Sequence, residues 1–372
     1  MPNPLTLHRF TGSHREIGRQ HGSVCSELVA KHLDMALDRL SRTGIGPDRA
    51  AEVALRFRPS VREHAGFLDE EIVGLAEGAG ISVAEAYLLQ VRAEVYAEVL
   101  GDPGAANECT TFVVLPEATA TGKALAGQNA DLPDMYADLM IVMHLVPDDG
   151  PHVLMATPAG QISYIGMSDA GMATFANFLH CDGWGPGFPR YLFSRYALAQ
   201  GSTAAALAAL RALPRAASRN LIMVDAELDA VDFENTPTRD AELRPVDGLL
   251  SHTNHYLAPE LADEERSVEK YLRNSRTRHE RVSGLLREHH GAITPEVMGS
   301  IMRNRDDAPD ALSVQERDDP DRGDTAPEHY MTVTGVIAEP AAGRMWVTAG
   351  PPSQAAYVEY SFAEGQGSAD AF

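Results

Sequence analysis

The chain has 372 residues, 44% of them apolar and 23% charged, with 31 Lys and Arg against 53 Asp and Glu, a formal charge of −22. These proportions exclude a disordered, collagen-like or disulfide-framework protein, and the length suffices for a deep core. A field of that sign repels phosphate backbones and anionic headgroups, so neither a nucleic acid nor a membrane is expected as a partner.

In chain order, the first hundred residues read as mostly helical. Leu28, Val29, Leu33, Ala36 and Leu40 recur at helical spacing, with Cys25 at the head of that face. A second helix is predicted over 68–76. A third starts at Ser82, whose capping-box partner is Glu85, and should run to about Val99. Then comes a breaker-rich loop, Gly101-Asp102-Pro103-Gly104-Ala105-Ala106-Asn107-Glu108.

Directly after it, Cys109-Thr110-Thr111-Phe112-Val113-Val114-Leu115 is β-branched and aromatic and reads as a strand. Further strands are predicted over 124–128, 139–146, 153–156, 162–167, 172–178, 221–224, 231–234, 331–338 and 345–348. Turn signals between several of them indicate hairpins and antiparallel sheets. Helices are predicted over 189–200, 203–212, 267–287 and 295–304. The acidic stretch 305–324 reads as a solvated loop. This succession predicts an α+β fold.

Cys25, Cys109 and Cys181 are too few and too scattered for a disulfide framework or a zinc site. His252-x-x-His255 lacks a third ligand at suitable spacing, so no metal is expected. The loop Gly183-Trp184-Gly185-Pro186-Gly187 has no following Lys-Ser/Thr and is not a phosphate cradle, so no cofactor is expected either. Met1-Pro2-Asn3-Pro4-Leu5-Thr6 lacks the basic and apolar regions of a signal peptide, and no apolar run approaches the roughly 18 residues that span a membrane. A cytoplasmic location with reduced thiols is expected.

Among the cysteines, Cys25 falls on an apolar helix face, and nothing near Cys181 in sequence would lower its pKa. Cys109 differs, since it opens a strand after a flexible loop. A nucleophile there needs a base. One of the fourteen histidines could supply it in space. So could the α-amine of Cys109 itself, with an ordinary pKa of about 7.7–8.0, if the bond to Glu108 is cut. A catalytic thiol should be partly exposed in a cleft, with Cys25 buried.

Cys109-Thr110-Thr111, followed by Gly127-Gln128-Asn129-Ala130-Asp131, resembles the isopenicillin N acyltransferase (penicillin acyltransferase-like) family of cysteine N-terminal-nucleophile hydrolases. The resemblance continues through Gly12 to Gly22, Gly171-Met172-Ala173 with Asn177, Gly187-Phe188-Pro189, Asn220 to Asp225 with Glu234, His252-Thr253-Asn254-His255 and Gly350-Pro351-Pro352. It implies a four-layer αββα sandwich with a helical N-terminal segment. Residues 1–108 would be the α chain and residues 109–372 the β chain of one domain, separated by autocleavage between Glu108 and Cys109.

The same resemblance assigns Cys109 as nucleophile, Asp131 beside it, and Asn254 as an oxyanion donor through its side-chain amide. Thr110, Asn129, Asn177 and His329 are implied as substrate contacts. Two departures stand out. Ala130 replaces a bulky aromatic, and His329 stands where some members carry an arginine, with Arg317 and Arg322 a little upstream. A histidine holds a carboxylate more weakly than a guanidinium, so neutral or cationic amides are expected as substrates unless a basic group such as Arg219 or Arg322 fills that role.

The implied activity is an autoproteolytically activated amidohydrolase or acyltransferase acting on a small N-acyl compound through an acyl-cysteine. Its partners would be that substrate and the paired α and β fragments, with homo-oligomerisation open. The alternatives are an unprocessed, non-catalytic binding protein of the same fold, and a papain-like or transglutaminase-like Cys-His-Asp enzyme. The β-branched run after Cys109 argues against the last, which places its cysteine at a helix N-terminus.

Overall fold

Strand after strand in this chain is apolar at odd and even positions alike, and a layered structure with both strand faces covered is the consequence. In the computed structural model, which describes residues 3–101, 109–315, 329–363, 365–366 and 372, Ile141, Met143 and Leu145 face one way. Met140 and Val142 face the other. Phe112 and Val114 likewise point away from Val113.

The chain begins with β1 (Leu7–Gly12) and seven helices: α1 (His14–Val24), α2 (Ser26–Arg42), α3 (Pro47–Leu55), α4 (Arg58–His64), α5 (Gly66–Ala79), α6 (Val83–Gln90) and α7 (Arg92–Leu100). There follow β2 (Cys109–Val114), β3 (Leu125–Pro133), β4 (Met140–Pro147), β5 (Val153–Pro158), β6 (Ile165–Ser168) and β7 (Ala173–Asn177). Helices α8 (Phe193–Leu198) and α9 (Thr203–Ala212) lead to β8 (Arg219–Val224), β9 (Ala230–Asn235), β10 (Asp240–Leu243) and β11 (Leu249–His252). Last come α10 (Glu269–Glu288), α11 (Pro295–Met302), β12 (Tyr330–Glu339), β13 (Arg344–Val347), β14 (Val358–Ser361) and β15 (Gly365–Gln366).

Two sheets form. One has eight strands in the order β1-β4-β5-β6-β7-β8-β9-β10, and the other seven in the order β11-β2-β3-β12-β13-β14-β15. Pairing is antiparallel except between β1 and β4. The N-terminal helices, with α8 and α9, cover the outer face of the larger sheet. The sheets pack on each other through residues such as Val113, Ala126, Phe175, Ile222 and Val336. Helices α10 and α11 cover the outer face of the smaller sheet through Val282, Leu286, Met298 and Ile301. The fold is an αββα sandwich, as the sequence led us to expect.

Helices α1 and α5 meet backbone to backbone. A Cβ on Gly18 would lie 1.9 Å from the carbonyl oxygen of Glu71, and one on Gly74 would lie 2.0 Å from that of Arg15. The pairs Gly18/Gly22 and Gly74/Gly78 therefore permit an approach that no larger residue allows. Buried Glu71 then takes a bidentate ion pair from Arg195 of α8, with 3.0 Å contacts to both carboxylate oxygens.

Several expectations need amendment. The N-terminal segment also contributes strand β1, and it includes α3 and α4, which the periodicity did not reveal. The single helix expected from Ser82 to Val99 breaks at Val91 into α6 and α7. There Gln90 turns inward to bridge the Gly160 carbonyl and the Ile162 N–H. The strand expected over 124–128 extends to Pro133 and so carries Asn129 and Asp131 within the sheet. The capping box of Ser82 and Glu85 forms as read.

Candidate active site

Cys109 is the first residue of β2, and strand alternation decides what it faces. Phe112 and Val114 face α10 and α11, so Cys109, Thr111 and Val113 face the gap between the sheets. The same rule sends Thr110 and Asn129, which are paired across β2 and β3, toward the outer helices. Thr110 Oγ1 accepts from Arg278 of α10, and Asn129 Nδ2 donates to the carbonyls of Met302 and Leu312. Those two predicted substrate contacts are therefore tied into the scaffold on the opposite side from the thiol, because neighbouring residues of a strand point to opposite faces.

The main chain of Cys109 is held at both ends by side chains. Its N–H donates to Asn254 Oδ1 at 2.6 Å. Its carbonyl accepts from Asn177 Nδ2 at 2.8 Å and from Arg278 Nη1 at 2.6 Å. Arg278 Nη2 also donates to Asn254 Oδ1 at 3.0 Å, so one buried guanidinium fixes the Cys109 carbonyl and the acceptor of the Cys109 N–H together. Thr111 Oγ1 donates to Asn177 Oδ1 and sets the orientation of that amide.

The amide of Asn254 is not arranged as an oxyanion donor in this structure. Its Nδ2 donates to the Phe178 carbonyl at 3.0 Å, and its Oδ1 faces two donors, so exchanging the two atoms would set donors against donors. The main-chain N–H of Asp131 favours the thiolate instead, and Gln128 shares the strand face of Cys109. Gln128 Oε1 accepts from Ala176 N, and its buried Nε2 has no hydrogen-bond partner.

Cys109 is 3% exposed, which corrects the expectation of a partly exposed thiol; Cys25 and Cys181 are buried as well. Burial pushes the Cys109 thiol up to about 11, and the Asp131 carboxylate pushes the same way. The Asp131 N–H, Arg278 and Gln128 act in the opposite sense. At pH 7 about one thiol in ten thousand would be ionised at such a value. Asp131 is itself buried and accepts from Thr332 Oγ1 across the β3–β12 pair.

Among the described residues, the two imidazoles of the His252-x-x-His255 motif are engaged away from the thiol. His252 is engaged by Glu234 at 2.8 Å, and His255 by Ser275 at 2.8 Å. His252 and His255 therefore belong to the scaffold behind Asn254. His329, half-buried ahead of β12, offers its carbonyl to the Asp134 N–H. Glu108, Arg317 and Arg322 lie outside the described residues.

The description acyl-coenzyme A:6-aminopenicillanic acid acyl-transferase belongs to a family model that matches residues 118–354, well over half of the chain. This chain belongs to that family. The acyl-coenzyme A:6-aminopenicillanic-acid-acyltransferase 40 kDa form of Emericella nidulans is 29% identical over 329 residues, covering 84% of this chain and 86% of that one. Among solved structures, penicillin V acylase from Agrobacterium tumefaciens matches with TM-score 0.47 and 12% identity, over 69% of this chain and 87% of that one. A mutant of the conjugated bile acid hydrolase from Clostridium perfringens matches with TM-score 0.43 and 12% identity, over 64% and 88%. The acyl-transferase span contains Asp131, Asn254 and His329, whereas Cys109 lies just ahead of it.

Sequence reasoning missed Arg278 and Gln128. A signal for the first was present, since Arg278 stands four residues before Val282 and eight before Leu286, on the apolar face of α10. Gln128 lay within a quoted motif, but only the pairing of β3 shows that it shares a face with Cys109 and Ala130.

Proposed function

We propose that this protein is a self-processing cysteine amidohydrolase or acyltransferase for a small N-acyl compound. The observation that carries the reading is the setting of Cys109 N. A strand-initial nitrogen is received by a buried side-chain acceptor, Asn254 Oδ1, which Arg278 in turn fixes. Cleavage between Glu108 and Cys109 would turn that nitrogen into an α-amine in a seat already built for it.

The need for a base supports the same reading. With the thiol at about 11, and with His252 and His255 engaged by Glu234 and Ser275, the intact chain has a poor nucleophile. An α-amine of ordinary pKa, about 7.7–8.0, on the same residue takes the Sγ proton as sulfur attacks the amide carbonyl. It then passes the proton to the departing amine as the tetrahedral intermediate collapses to the acyl-cysteine thioester. Water or a second amine attacks the thioester and regenerates the thiol. We assign the Asp131 N–H, which favours the thiolate, and the unpartnered Gln128 Nε2 on the same strand face as donors to charge developing near sulfur and the carbonyl oxygen.

Intact-mass analysis under denaturing conditions tests the proposal. Two fragments, residues 1–108 and 109–372, are expected, and Cys109→Ala should yield one uncut chain. A single uncut chain that hydrolyses amides would overturn the processing step.

A further inference from the structure

We infer that Arg190 and Arg219, with the rings of Phe178, Trp184 and Tyr191, form a subsite beside Cys109 that binds the carboxylate of an aromatic acid. The inference rests on the reading of Cys109 as nucleophile, and it names the chemistry its substrate should carry.

Both guanidiniums are buried, each residue being 3% exposed. Buried charges in proteins are ordinarily paired. Among the described residues, neither of these forms an ion pair, and Nε of each has no hydrogen-bond partner. Glu94 approaches Arg190 only through the main-chain N–H, which Oε1 accepts at 2.9 Å.

What the side chains do touch is aromatic faces. The Arg190 guanidinium carbon lies 4.7 Å from the Phe178 ring centroid, 4.8 Å from that of Tyr191 and 5.3 Å from that of Trp184. The guanidinium of Arg219 lies 5.0 Å from the Tyr191 centroid. Stacking occupies the faces of a guanidinium and leaves in-plane N–H donors for another partner. A carboxylate accepts such donors in pairs.

The place suits a substrate. Arg219 opens β8 beside the end of β7, where Asn177 holds the Cys109 carbonyl. Burial lowers the pKa of Arg219 to about 10, and the neighbouring Arg190 guanidinium acts in the same direction. Trp184 is half-buried, and Asp182, Gly183 and Pro186 around it are exposed, so the ring cluster reaches solvent through this loop. An aromatic acid seated here would stack on the rings and neutralise two cations that otherwise repel each other. The molecule's charge of −22 is thus no guide to this subsite, where two guanidiniums share the Tyr191 ring. The proposed subsite favours acids over the neutral or cationic amides expected from the sequence.

Calorimetric titration of the purified full-length protein with phenylacetate and with phenylethanol tests the subsite, since the two differ only in the anionic group. Phenylacetate should bind at least about tenfold more tightly. Arg190→Met and Arg219→Met should each abolish that difference, and Arg219→Lys should retain part of it. Equal binding, binding of neither compound, or an unchanged preference in both Met variants would overturn the inference. The wild-type comparison decides the matter even if a Met variant does not fold. Neither probe contains an amide, so failure of the processing experiment and failure of this one are separate results.

Discussion

Asn254 Oδ1 is the acceptor for a buried main-chain N–H and for a buried guanidinium, so removing it strands two donors at once. Asn254→Ala should cost about 1–3 kcal/mol of stability, and it should slow appearance of the processed fragments. Denaturant unfolding and a mass-spectrometric time course would read the two effects. A variant that unfolds and matures like the wild type would refute the role. The thiols make a second prediction at this scale. Burial raises Cys25 and Cys109 to about 11 each, so all three cysteines should resist iodoacetamide in the unprocessed chain. After processing, Cys109 alone should be alkylated, at a rate that follows activity. Peptide mapping that found Cys25 labelled as fast as Cys109 would contradict this.

At the scale of elements, the α1–α5 contact is the most sterically constrained join described here. Gly74→Ala drives a methyl into the Arg15 carbonyl, so the helices must separate. The expected loss is about 1–3 kcal/mol, with larger values where the backbone cannot yield. Gly66→Ala, at the start of α5, meets nothing within 4 Å and should be close to neutral. The difference in urea midpoint between these two variants is the measurement. Equal midpoints would show that the helices are free to part. The contact matters to the site because it places Glu71, which anchors Arg195 and with it α8, beside the end of β7.

For the whole molecule, buried titratable groups set the pH range of stability. Burial lowers His21, His144 and His279 to about 4 and His255 to about 3. A group with its folded pKa depressed stabilises above its unfolded value, so this contribution should fade as pH drops below about 6.5. His252 behaves oppositely. Burial pulls its pKa down, but the Asp232 charge and the Glu234 hydrogen bond outweigh that and raise it to about 9. Burial likewise raises Asp232 to about 7. Both groups hold protons more tightly when folded, so the contribution of Asp232 is lost as pH rises from about 4 to about 7, and that of His252 as pH rises from about 6.5 to about 9. Stability should therefore peak near neutral pH. His252→Gln should flatten the alkaline limb of a plot of unfolding midpoint against pH while leaving the acid limb in place. An alkaline limb unchanged in that variant would show that the titration resides elsewhere.

Much of the layering is legible in the order of residues. Runs such as 140–143 and 221–224 are apolar at successive positions, which requires cover on both faces and hence a sandwich. The breaker-rich loop ahead of Cys109 and the capping box at Ser82 were legible because they are local chemistry. Helix α1 was legible only through a resemblance, since it packs through Gly18 and Gly22, and a glycine contact leaves no apolar period. Short edge strands such as β10 and β11 were missed because pairing, more than composition, makes them strands. At the site, the sequence named Cys109, Asp131 and Asn254. It took the packed fold to turn Thr110 and Asn129 away from the thiol, to present the oxygen of Asn254 to Cys109, and to bring in Arg278, 169 residues along the chain, which holds both. The reason is physical: a residue's type limits which bonds it can make, but strand parity and the meeting of distant elements choose which of them it makes.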